Sequence, residues 1–155
     1  DHAAWTVLSV IYPQADVPVV QLSMDASKPI AWHYELGRAL RPLREEGFLI
    51  LGSGNVVHTL AQMEWDIDSN PHDWAERFND LVIDVVETNT PERLFNHQAL
   101  GRDAALSIPP PDLGHYWPLF YVLGARHPED KLTMNPKHVQ YKSLSMMSFV
   151  LDSAA

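Results

Sequence analysis

Hydrophobic and polar positions along this chain fall into short blocks separated by its twelve prolines. Thr6 to Tyr12 is rich in β-branched residues, which suits a strand, yet Ala3-Ala4-Trp5 ahead of it suits the start of a helix. Pro13 closes the segment in either conformation. Val17 to Leu22 is a short apolar run with Pro18 near its start and predicts a buried strand. Ser27 followed by Pro29 is a helix-start signal, and Trp32, Leu36, Leu40 and Leu43 then recur at helical spacing up to Gly47. Pro42 is placed to kink that helix or end it early. Phe48 to Leu51 predicts a second buried strand, closed by the turn Gly52-Ser53-Gly54-Asn55. Asn70-Pro71 opens a helix with Trp74, Phe78, Leu81, Val82 and Val85 on one face. Thr90-Pro91 starts a shorter one ending near Gly101, and Pro109-Pro110-Pro111-Asp112 leads into an aromatic helix over Leu113 to Leu123, stopped by Gly124. Ser145 to Leu151 reads as a final strand. Strand–helix–strand alternation predicts a single α/β domain over 1–155, with a central mixed sheet flanked by helices.

Composition narrows what such a domain does. The chain has 155 residues, 46% hydrophobic and 20% charged, which supports a packed core. A net charge of −9 argues against nucleic acid or an anionic membrane as partner. No apolar run is long enough to cross a bilayer. With no cysteine, thiolate nucleophiles, disulfides and thiolate metal sites are excluded. Any metal must be held by His, Asp or Glu, which suits Fe, Mn or Zn. The absence of cysteine fits a cytoplasmic location. The chain shows no signal peptide but opens on Asp1 rather than Met, so an N-terminal segment is expected upstream.

The candidate chemistry lies in the histidines, of which there are eight. His33, His72, His97, His127 and His138 stand among polar residues or near helix ends and read as surface residues. His58 follows an expected strand and a Gly-rich turn, the place where open α/β sheets bind ligands. It reads either as a functional residue or as a satisfied buried histidine. The glycines before it would let the backbone approach a small molecule. His115 lies in an otherwise apolar stretch, where it reads either as a core histidine bonded to backbone or as a metal ligand. Asp1-His2 is either a frayed terminus or part of a site. Tyr116 and Trp117 read as helix packing. A Gly-x-Ser-x-Gly elbow and a His-Glu-x-x-His pair are both missing, and the acidic pairs read as solvated surface.

Three of these segments together carry a resemblance. Asp1-His2-Ala3-Ala4-Trp5 through Tyr12-Pro13 and on to Ser23, Gly47 to Gly54 with Asn55 and His58, and Pro111-Asp112-Leu113-Gly114-His115-Tyr116-Trp117-Pro118-Leu119 resemble the class III extradiol ring-cleavage dioxygenases. The third motif is similar to the DOPA-dioxygenase-type branch. The resemblance runs from Asp1 to the final strand. It implies one α/β domain with a mixed sheet and a pocket for non-haem Fe(II), with zinc in its place in some relatives. It also implies that the Thr6 segment is helical.

By the same resemblance, His115 is a metal ligand and His58 the acid/base histidine, able to swing onto the metal as a fourth ligand. Asp1 and His2 lie at the substrate and O₂ pocket, and Asn55 joins His2 at the substrate. Two further ligand histidines belong to a segment that this chain does not match. The chain therefore resembles the C-terminal portion of a longer enzyme whose missing N-terminal part supplies them. The implied reaction is ring opening of a DOPA-like catechol with O₂. The rival readings are a non-catalytic small-molecule-binding module or inactive fragment on the same fold, and a zinc hydrolase. Yellow semialdehyde absorbance with catechol, Fe(II) and air separates the first reading from both.

Overall fold

A computed structural model describes residues 2–111 and 113–153, the side chains of His2 and Ala3 excepted. Five α-helices occur among them: α1 His2–Ile11, α2 Ile30–Leu40, α3 Asp73–Thr88, α4 Arg102–Ser107 and α5 Pro118–Gly124. Four short strands follow: β1 Lys131–Met134, β2 Val139–Gln140, β3 Leu144–Ser145 and β4 Phe149–Asp152. β1 pairs antiparallel with β4, Lys131 opposite Asp152, and β2 pairs antiparallel with β3. The molecule is thus an α/β domain built mainly on helices with small sheets. No helix of the described residues is long and apolar enough to cross a membrane.

Local rules account for most of the helix boundaries. α1 is helical and ends before Pro13, which settles the ambiguous Thr6 segment. α2 begins after Pro29, and at Arg41–Glu46 it tightens into a 3₁₀ turn. Pro42 lacks the N–H that would continue the α-helix, so the change falls there. Gly47 then takes the left-handed conformation, φ 88°, and its N–H donates to the carbonyls of Arg44 and Leu43. α3 buries Ala75, Phe78, Val82, Val85 and Val86 on one stripe and stops at Asn89, also left-handed. The helix expected from Thr90 to Gly101 is instead two 3₁₀ turns, Pro91–Leu94 and His97–Leu100, with α4 after Gly101. The aromatic helix starts at Pro118, not Leu113, because proline at the first helical position needs no N–H partner.

The sheet departs from expectation. Val17–Leu22 and Phe48–Leu51 belong to neither ladder. The expected central mixed sheet is not assembled among the described residues. An apolar run becomes a buried strand only where another strand pairs with it and something covers its face. Here Val20 is 88% and Leu49 63% exposed.

The core gathers Val56 and Val57, the α3 stripe, Leu94, Ile108, Tyr116, Phe120 and Leu123. α2 and α5 pack at very close range. A Cβ on Gly37 would lie 2.4 Å from the Tyr121 carbonyl oxygen, and one on Gly124 would lie 2.2 Å from that of Tyr34. Two histidines read as surface residues are in fact buried. His33 stacks on Trp117 (centroids 4.9 Å apart) with its Nδ1 2.9 Å from the Tyr121 hydroxyl. His97 lies edge-on to Phe78 and Tyr116. Both face aromatic neighbours that are distant in sequence, so their polar local context misleads. Arg44 ties the far end together, making a two-pronged ion pair with buried Asp130 (2.6 and 3.0 Å) and donating to the carbonyls of Ala125 and Leu151.

Candidate active site

His58 and His115 are 57 positions apart in the chain, yet their rings stack with centroids 3.9 Å apart and planes 27° from parallel. Each is held by its main chain. The His58 N–H donates to the Ser107 carbonyl (2.7 Å), and His58 forms an antiparallel bridge with Leu144. The His115 carbonyl accepts from the Asn55 N–H (2.7 Å). His115 sits in the turn before α5, where the N–H groups of Tyr116 and Trp117 donate to the Leu113 carbonyl. That turn points successive side chains in opposite directions: His115 is exposed, and Tyr116 is fully buried.

The Gly52–Asn55 turn does this positioning. A Cβ on Gly54 would lie 2.3 Å from the His115 carbonyl oxygen, and one on Gly52 would lie 2.8 Å from that of Pro118. The glycines therefore admit the backbone of residues 115–118, and the close approach expected toward a small molecule is to the protein's own main chain. Asn55, expected at the substrate, has both ends of its amide bonded to backbone. Its Nδ2 donates to the Ser145 carbonyl (3.0 Å), and its Oδ1 accepts the Val57 N–H (3.0 Å). It braces the turn against β3.

Local sequence patterns did not reveal the residues that surround His58. The Thr59 hydroxyl donates to the carbonyls of Leu106 and Ser107, and the Ser143 hydroxyl donates to the Thr59 carbonyl (2.8 Å). Their partners lie 47 to 84 positions away, beyond any spacing rule. Asp1, Asp112 and the side chain of His2 lie outside the described residues, and the expectations placed on Asp1 and His2 with them.

The residues that follow His115 pack among aromatic rings. Tyr116 lies edge-on to Phe120 (4.9 Å), and burial pushes its phenol well above the usual range. Desolvation likewise holds His97 below the ordinary histidine value. Tyr116 and Trp117 thus serve as packing.

The two stacked imidazoles are apt in kind for iron or zinc, since neutral imidazole binds either without adding charge. They fall short in number. An open catalytic site needs three protein ligands, and among the described residues no group of three His, Cys, Asp or Glu is placed to hold an ion.

Comparison with known proteins adds the following. Residues 1–151 match the family described as the catalytic LigB subunit of aromatic ring-opening dioxygenase. The chain is 44% identical over 154 residues to the 4,5-DOPA dioxygenase extradiol of Escherichia coli (strain K12), a match covering 96% of this chain and 55% of that protein. It is 35% identical over 140 residues to the 4,5-DOPA dioxygenase extradiol of Mirabilis jalapa, covering 85% and 49%. The crystal structure of an uncharacterized protein from Escherichia coli K12 superposes with a TM-score of 0.84 at 43% identity, covering 96% of this chain and 61% of that one. The chain spans about half the length of the curated relatives it matches.

Proposed function

The chain belongs to the LigB family of aromatic ring-opening dioxygenases, and from that premise we propose that it carries part of the centre of a metal-dependent extradiol dioxygenase opening a DOPA-like catechol with O₂. The observation that carries this reading is the stacked His58–His115 pair. Two relatives named 4,5-DOPA dioxygenase extradiol support the substrate class.

In this reading His115 is a ligand to Fe(II), with zinc as the alternative ion, and the remaining ligands come from polypeptide outside the described residues. When bound, the ion would supply Lewis-acid and redox chemistry toward the catechol and O₂, with His115 among the residues holding it. His58 acts as base at a ring nitrogen, taking the proton of one catechol hydroxyl, and returns that proton as the ring opens. Its main-chain bonds to Ser107 and Leu144 fix the backbone from which that ring extends. His2 is assigned to the substrate on the family resemblance alone. Tyr116 and Trp117, which follow His115 in the chain, are buried as packing.

The test uses the intact enzyme that contains this chain, assayed by semialdehyde absorbance with catechol, Fe(II) and air. His58→Gln is expected to lower turnover by about 10²–10⁴-fold, the range for losing a general base, while bound metal stays near stoichiometric. His115→Ala is expected to lose the metal itself. Normal turnover in both variants overturns the reading. Catechol binding without ring opening in the unmodified protein favours a binding module instead.

A further inference from the structure

The starts of α3 and α4 border a cleft of about 470 Å³ that neither His58 nor His115 lines. Three of the chain's eleven lysines and arginines line it: Arg77, Arg102 and Lys142. Two carboxylates, Asp73 and Asp103, stand with them. The chain as a whole carries −9, so a cleft with more cations than carboxylates runs against the charge of the molecule. Concave walls focus such a field, and an anionic group is drawn to it.

Part of that charge is already neutralised. Arg77 makes a two-pronged pair with Asp103 (2.7 and 3.1 Å), which ties α3 to α4. Lys142 pairs with Glu64 (2.6 Å). The Arg102 guanidinium and the Asp73 carboxylate form no ion pair among the described residues. Beside these two open charges stands a flat aromatic wall. His72 stacks on Trp74 with ring centroids 5.2 Å apart and planes 18° from parallel. Trp74 backs the wall onto the core. The His72 N–H donates to the Lys142 carbonyl (3.0 Å), and its ring Nε2 lies 3.2 Å from the Gln62 carbonyl oxygen. Tyr141 and Lys142 both take the left-handed conformation, φ 50° and 65°, which residues other than glycine seldom adopt.

We propose that this cleft binds a small aromatic α-amino acid, with its carboxylate on Arg102, its ammonium on Asp73 and its ring against His72 and Trp74. The three features select this class together. An inorganic anion satisfies Arg102 but is repelled by Asp73. A simple amine satisfies Asp73 but meets an excess of cations. A neutral ring uses the wall alone. A zwitterion carrying a ring uses all three, and clefts of this volume with a few convergent polar groups suit small molecules. Arginine suits the carboxylate end, since its planar fork can donate two parallel N–H bonds to the two oxygens.

The proposal does not rest on the ring-cleavage reading. Its probe, L-phenylalanine, has no catechol hydroxyls, and its readout is binding, not turnover. Binding is followed in the intact enzyme that contains this chain, by calorimetry and by the indole N–H signal of Trp74 in NMR, assigned with Trp74→Phe. The expected result is saturable binding that shifts this signal. Arg102→Gln and Asp73→Asn, both at exposed positions, are each expected to weaken binding at least about tenfold with an unchanged far-ultraviolet circular dichroism spectrum. 3-Phenylpropionate, which lacks the ammonium, is expected to bind about tenfold more weakly than L-phenylalanine, and Asp73→Asn is expected not to weaken it further. No shift of the Trp74 signal at L-phenylalanine up to about 10 mM overturns the proposal. So does binding that either substitution leaves unaltered, or inorganic phosphate that binds as tightly as L-phenylalanine. Binding that His58→Gln abolishes also overturns it, since the probe then occupies the site of the histidine pair.

Discussion

At Asn55 one residue links three parts of the site. Its amide joins the Ser145 carbonyl to the Val57 N–H, and its own N–H holds the His115 carbonyl. Asn55→Ala leaves a buried donor and acceptor without those partners and is expected to cost about 1–3 kcal/mol, read as a lower urea midpoint at unchanged slope. Asn55→Asp sets a carboxylate oxygen against the Ser145 carbonyl and is expected not to restore the midpoint. The turn itself is legible in Gly52-Ser53-Gly54-Asn55. Its contacts are not, because Ser145 lies 90 positions away. His33 and His97 show the same limit. Their burial follows from which helix faces meet, and flanking polarity does not report that.

Among the elements, the closest contact is between α2 and α5. Gly37 and Gly124 face one another's helices so tightly that any Cβ would meet backbone. Gly124→Ala is expected to destabilise by about 1–3 kcal/mol, since only a shift of the helices relieves the clash; thermal unfolding measures it. Helix boundaries are readable where they depend on neighbouring residues, as at Pro29 before α2 and Pro42 at the change to 3₁₀; Pro118 at the start of α5 obeys the same local rule, although the apolar pattern places that start at Leu113. The strands at 17–22 and 48–51 were misplaced because strand formation depends on a second segment, and no local pattern specifies one.

For the molecule as a whole, acid sensitivity follows from three buried groups. Burial lowers the pKa of His33 and His97 below the ordinary 6.5. The unfolded chain therefore takes up these protons first as pH falls, so their contribution is complete above 6.5 and declines below it. Asp130 is different: burial alone would raise its pKa, but the Arg44 guanidinium and the His127 N–H hold it below the usual 3.8. That stability persists to lower pH and is lost as the pH falls from 3.8 through the folded value. Urea unfolding is expected to show a first loss setting in as the pH falls below 6.5, which His97→Phe makes shallower, and a second below 3.8, which Arg44→Met removes.

Sequence alone determined the α/β class, the helix boundaries that proline and glycine impose, the exclusion of thiolate chemistry, and the family motifs around His58 and His115. These depend on composition, on short-range sterics and on residue types in fixed order. Tertiary structure alone decided that the two imidazoles stack, that Asn55 braces a turn, and that the apolar runs at 17–22 and 48–51 lie open. Each of those depends on which distant segments share space, and packing sets that only once the whole chain is folded.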